Sequence, residues 1–597
     1  MTTPPPTNPG KGRMPQRFPL TYSLPIVSVL LLQSCGDSTS PDVDELAMEI
    51  SPAIIEMAAS RDTTLELRNT GSGPIGPIEL LDDAIRNSGG NVVEGPQLAL
   101  SPRVIPTLNP GDVRVVSLSL TVPDDLPDDT YSFSIEARVT GVTGAAISAT
   151  IDVNFTVQDT LAVGVVTVNL TSAPPGTVRQ GDPVRLTAEA RDGSGNVVSQ
   201  ADIRWQVSPA DGGFVSPDGD FVGYAPGTTL VIASAGSAAD SVQVTVTARD
   251  RTGTFTIVGS GAVTERFTSD LWVHGTAAYT GTWGQRAFVG DRLNVWDVSD
   301  PSTPVITTSI AVDARTVNDV KISADGTFGV ITHEGSNDLL NGITLMDLTD
   351  PLTPVIISRT TESLEAGVHN AWIDGDYVYL VVNGVSPSSG LRILDISDLS
   401  NPQTVASFYA GSSSLHDVYV RDGLAFLSHW NAGLVILDVG NGMAAGSPTS
   451  PVEVSRVATQ GGQTHNAWYW PEGGYVFVGE EDFGTPGIMH VVDVTDLWNP
   501  QEVATFRVAG TTPHNFWMDE ARSVLYLSWY TNGLQALDVS GQLLGELDRQ
   551  GRHIAQFDYV NVAGGLSNSQ NWAVQLHDGL LYVSDLAAGL WVLRPEF

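Results

Sequence analysis

The chain has 597 residues, enough for several domains, and 42% of them are hydrophobic, enough to bury real cores. Against 29 Lys and Arg stand 67 Asp and Glu, a net charge of −38, which excludes electrostatic capture of nucleic acid or of anionic lipid head groups. A single cysteine excludes a disulfide scaffold, a multi-cysteine zinc module and an iron–sulfur protein.

That cysteine is Cys35. Lys11, Arg13 and Arg17 precede an apolar run from Leu20 to Leu32. Basic residues followed by a short apolar stretch read as a signal peptide over 1–34, too short for a stable transmembrane span. Leu32-Gln33-Ser34-Cys35 resembles a bacterial lipobox. The resemblance implies lipidation of Cys35 and a polar tether over 35–42. It implies contact with the membrane through lipid, and residence in the bacterial cell envelope (outer membrane, periplasmic side or cell surface). Loss of the three leader cations takes the net charge to about −41.

From 43 to 250 the pattern is β throughout, with short alternating runs broken by Gly, Pro, Asn and Asp. Thr64–Arg68, Val113–Val122 and Tyr131–Val139 are examples. Blocks of about 100 residues built this way suggest β-sandwiches. In 43–159, Leu108–Asp112 and Val122–Tyr131 resemble turns of bacterial Ig-like and CARDB-like modules. In 160–250, Ile203–Trp205, Gly213–Thr228 and Leu230–Ser234 resemble a group 2 bacterial Ig-like domain, which implies that Trp205 packs in the sandwich. Both blocks lack histidine and read as a spacer holding a head away from the membrane.

The part from 251 to 597 repeats seven times, at intervals of about 44–56 residues. The units open at His274-Gly275, Asn318-Asp319, His369-Asn370, His416-Asp417, His465-Asn466, His514-Asn515 and Gln570-Asn571. A second marker follows in each, such as Ile343–Asp347, Leu391–Asp395, Leu434–Asp438 and Met489–Asp493. These strands resemble the LVIVD repeat, which implies a β-propeller. One unit parses into four strands: His369–Ile373, Tyr377–Val382, Leu391–Asp395 and Gln403–Phe408. Four strands cannot bury both faces alone, but seven such sheets around an axis can. The last unit stops after its third strand, and 254–268 carries an unassigned strand pattern that can supply the fourth. The expected fold is therefore all-β: two Ig-like β-sandwiches, then a seven-bladed β-propeller of four-stranded blades closed by its N-terminal strand.

All ten histidines lie in this last part. The up-down topology places the start of each first strand, and each loop between second and third strands, on one face near the axis. His274, His369, His416, His465 and His514 are expected to ring the channel mouth, with Asn318 and Gln570 in the other two slots. His333, Glu334, His429, Trp430, Glu480, Glu481, Trp529 and Tyr530 are expected on the same face. Imidazole with carboxylate suits a divalent metal, and Trp with Tyr suits a sugar or another planar ligand. A fold-maintaining role is the other reading, since a repeated His can bond a neighbouring loop. The Asp-x-Ser/Thr-Asp segments lack the bidentate Glu of a calcium loop and read as turns. The leading expectation is a monomeric, lipid-anchored binding or adhesion protein for a glycan or protein ligand, with no nucleic-acid partner. The alternative is a metal-dependent oxidase or hydrolase with its site at the channel mouth.

Overall fold

A computed structural model describes residues 47–597 apart from short internal stretches, the longest being 140–147, 158–164 and 560–569. The leader, Cys35 and the tether lie outside the described residues. Among the described residues there is no α-helix, and no helix long and apolar enough to cross a membrane.

The first β block forms two packed sheets. One has the strand order Met48–Ser51, Asp62–Asn69, Val113–Thr121, Gln97–Ser101; the other is built around Ser148–Val157 and Asp129–Val139. Strict alternation along Asp129–Val139 turns Tyr131, Phe133, Ile135 and Ala137 inward onto Leu65, Leu67, Val116 and Leu118. The second block packs Thr177–Arg179, Ala238–Thr247, Gly227–Ala235 and Arg204–Ser208 against a smaller sheet. Its core is Val178, Leu186, Phe221, Val231 and Val244, with half-buried Trp205 at its edge over Gly219.

Seven sheets, each with four antiparallel strands in blade-like order, follow among the described residues; the fifth carries a short extra strand, Gly545–Glu546, paired parallel to its outer edge. The third runs Val368–Asp374, Tyr377–Val382, Gly390–Asp395, Gln403–Phe408. Its two middle strands are buried almost from end to end because neighbouring sheets cover both of their faces. The outer strand is half-exposed, as an edge should be. The first strand of each sheet touches the first strand of the next, and that of the seventh touches that of the first. The seventh sheet is assembled from both ends of this region. Thr254–Ala262 pairs antiparallel with Gly589–Glu596, so the N-terminal strand closes the sheet that the C-terminus leaves open. Gly261 has to be glycine there, since a Cβ would lie 2.2 Å from Trp296 of the first sheet.

The second sandwich is clasped against the sixth sheet rather than held apart from it. Arg249, whose side chain is wholly buried, donates to Asp538 at 2.7 Å and to Asp182 at 2.8 Å. Arg251 reaches the other Asp538 oxygen at 2.6 Å, and Arg552 donates to the Gly181 carbonyl at 2.5 Å. Burial works to raise the Asp538 pKa, but Ser540 and Arg249 outweigh it and hold the group at about 2.

The Asp-rich turns bond themselves. Asp297, Asp347, Asp395 and Asp493 each accept the backbone N–H two residues on, at 2.7–2.9 Å. That geometry accounts for the Asp-x-Ser/Thr-Asp segments as turns.

Candidate site at the channel mouth

The sheet register fixes which residues are equivalent. Trp272, Lys321, Trp372, Tyr419, Trp468, Trp517 and Gln575 each face the same position of their second strand. Three residues earlier stand Ser269, Asn318, His369, His416, His465, His514 and Trp572. In five of the seven sheets a β-bulge falls at this point. Such a bulge re-aims side chains, here at the start of the innermost strand.

Four adjacent histidines therefore sit side by side. Their ring centroids are 4.5 Å apart for His369 and His416, 4.3 Å for His416 and His465, and 4.2 Å for His465 and His514. Trp572 continues the series at 4.2 Å from His514, and Trp283 closes it, 5.2 Å from Trp572 and 6.2 Å from His369. Several imidazoles also clasp a neighbour. His416 Nδ1 donates to the His465 carbonyl at 3.2 Å and His514 Nδ1 to the Trp572 carbonyl at 2.6 Å, while His369 Nδ1 meets Glu334 at 2.6 Å. A carbonyl acceptor requires a proton on Nδ1, which leaves the lone pair on Nε2.

Burial, together with repulsion between the rings, keeps three of these groups neutral. It lowers His416 and His465 well below the ordinary imidazole range and brings His514 to about 3. Burial opposes protonation of His369 too, but Glu334 beside it outweighs that and raises the group. Glu481 is raised by burial, though the Tyr530 hydroxyl donates to its Oε1. Tyr530 holds this position with φ at 36°, a left-handed conformation unusual for a bulky residue.

Together these groups enclose a cavity of about 370 Å³, lined by His369, His416, His465, His514, Glu481, Tyr530, Gln570, Trp283, Phe483, Trp572 and Leu586. Two further layers close the channel beneath it. In the first, Asn318 donates to Asn370 at 3.0 Å and Asn370 to Asp417 at 2.9 Å. In the second, Trp272, Trp372, Tyr419, Trp468 and Trp517 form a closed ring with centroid spacings of 4.5–6.0 Å. Lys321, buried between Asp270 and Asp319, lies 5.4 Å over Trp272.

Family comparison picks out three stretches, 266–312, 367–409 and 412–459, as matches to the LVIVD repeat. The chain carries LVIVD repeats. No curated protein matches the chain. The LVIVD repeats coincide with the first, third and fourth sheets, and the third and fourth supply His369 and His416.

Against the expected site, the structure makes several corrections. His274 ends its strand at the turn and lies against Gly326, away from the mouth; Ser269 takes its slot. Gln570 lines the cavity, but Trp572 holds the seventh position of the ring. His333 and His429 end their strands but are buried, each 1% exposed, outside the cavity lining. Burial, with Arg359 and Arg456 nearby, takes them to about 3 and about 4. Glu480 turns away from the mouth and lies 2.9 Å from His490. Trp529 is a core residue, packed 5.7 Å from Phe506. Trp430 flanks His416 at 5.1 Å. Glu481 and Tyr530 line the cavity, and Glu334 lies outside its lining, bonded to His369. Sequence reasoning missed Trp283, Phe483, Trp572 and Leu586. The motif His-Asn-x-Trp, read with its tryptophan as the anchor, aligns Ser269-Asp270-Leu271-Trp272 and would have placed Ser269 in the ring.

Proposed function

We propose that the seven sheets are the blades of one closed propeller, that the two sandwiches are Ig-like, and that the whole is a monomeric binding protein anchored in the bacterial envelope through lipid on Cys35. Its ligand is a carbohydrate end group held in the histidine-lined cavity. The observation that carries this reading is the cavity itself. A hollow of about 370 Å³ admits a compact ligand, whereas a protein partner needs a broad face. Trp283 and Trp572 offer flat apolar faces for the C–H side of a sugar ring. Glu481 and the neutral imidazoles accept hydrogen bonds from hydroxyls.

A glycan array followed by titration calorimetry tests the reading. The full chain binds a defined glycan, and Trp572→Ala and Trp283→Ala each weaken binding by about tenfold or more. A glycan bound equally well by both variants would contradict the site. The anchor is tested apart from this: Cys35→Ser moves the protein from the membrane fraction to the soluble one. A second reading, a metal-dependent hydrolase or oxidase, draws on the grouping of His416, His465 and Glu481.

A further inference from the structure

We infer that His416, His465 and Glu481 bind one divalent transition-metal ion at the floor of the cavity. The donor atoms of these three residues all lie within 4.8 Å of one another. A point equidistant from three donors so spaced is ~2.8 Å from each, so inward shifts of ~0.7 Å give bonds of ~2.1 Å, within reach of side-chain rotation.

Each donor is already oriented. The His416 ring is fixed by its Nδ1 bond to the His465 carbonyl, which presents Nε2. Tyr530 occupies Oε1 of Glu481, and Oε2 is the oxygen 3.9 Å from His465 Nε2. His465 is 2% exposed, so its ring is held in place by the residues packed around it and Nε2 stays turned toward Glu481.

The donor set decides the class of ion. Two imidazoles and one carboxylate favour zinc, copper, iron or nickel over calcium and magnesium, which prefer oxygen. Three protein ligands leave at least one position open, and it opens into the cavity, where a ligand oxygen could complete the shell. The ion is thus a part of the binding site and not a structural staple. The inference shares the cavity with the proposed carbohydrate reading but does not depend on it.

The test uses the full chain, stripped with a chelator and titrated with Co²⁺, then Zn²⁺. One Co²⁺ binds per chain with a visible absorption band, and Zn²⁺ displaces it. His465→Ala and Glu481→Gln weaken Co²⁺ binding by about 100-fold or more. His274→Ala, at the far end of its strand, leaves it unchanged. Glu481→Gln keeps the side-chain shape, so it carries the test if His465→Ala does not fold. A folded wild-type chain that takes up no stoichiometric Co²⁺ overturns the inference, as does full affinity in Glu481→Gln. Glycan binding by the chelator-treated chain is scored separately, so loss of the carbohydrate reading and loss of the metal site are told apart.

Discussion

His490 stands in the middle of a third strand with no exposed surface, 2.9 Å from Glu480 and 3.0 Å from Glu502. Burial favours its neutral form, but the two carboxylates outweigh that and raise its pKa to about 9. A group raised in the folded state stabilises most fully below its unfolded value, near 6.5, and the contribution is lost as pH climbs through 9. Urea unfolding therefore shows stability falling by on the order of 3 kcal/mol between pH 6.5 and pH 9 on account of this residue. His490→Gln is less stable at pH 6.5 and flattens that alkaline slope; an unchanged slope would refute the assignment. His333 and His514 act in the opposite sense. Each is held neutral to about pH 3, so their contribution is present above 6.5 and is lost as pH falls below it. Sequence alone gave His490 no role, because a histidine inside an apolar strand has no spacing that announces its partners. The ring residues were more legible. His369, His416, His465 and His514 recur beside Asn or Asp, and the structure brings all four together. Where the repeat degenerates, at Ser269 and Trp572, the slot holds a different chemistry and the histidine signal points elsewhere.

Among the elements, the strand Thr254–Ala262 does the most for its length. It covers the free edge of Gly589–Glu596 and places Phe255 against Tyr526 and Phe597. A chain beginning at residue 263 loses the single cooperative unfolding transition of the seven-sheet region in calorimetry; an unaltered transition would show that closure does not need this strand. Gly261→Val is the milder version, costing about 2–3 kcal/mol because its side chain meets the buried Trp296 indole. The strands of the third sheet were legible in sequence to within a residue, since Asp374-Gly375, Asn383-Gly384 and the Asp395–Asp398 turn bound their runs. Two things were not legible. The bulge that aims each histidine is a feature of register, which one strand alone does not reveal. The sixth sheet also detours between its third and fourth strands through 539–552, a stretch that pairs with the outer strand of the fifth sheet and reaches the second sandwich.

At the scale of the whole molecule, those contacts change the picture of a spacer with a head. Arg249, Arg251, Arg552 and Asp538 bind the second sandwich to the sixth sheet, and Arg549 lies 4.6 Å over Tyr224 across the same junction. Asp538 is depressed in the folded state, so the clasp is complete above pH 4 and loosens as pH falls toward 2. Asp538→Asn takes the shared carboxylate from Arg249 and Arg251, leaving Arg249 only the Asp182 carboxylate, and limited proteolysis then cuts the 247–253 connection faster than in the wild type. The first sandwich touches the outer strand of the fourth sheet, and its Arg114 lies 5.0 Å over Trp498. With both sandwiches held in this way, the direction in which the histidine cavity opens is fixed relative to the N-terminal part of the described chain. The measurement that bears most directly on the account is a crystal structure of the full chain with a glycan that it binds. Density for the sugar is expected inside the cavity, between Trp572 and Glu481. Sugar seated only on a sandwich or on the outer strands, with that cavity empty, would contradict it.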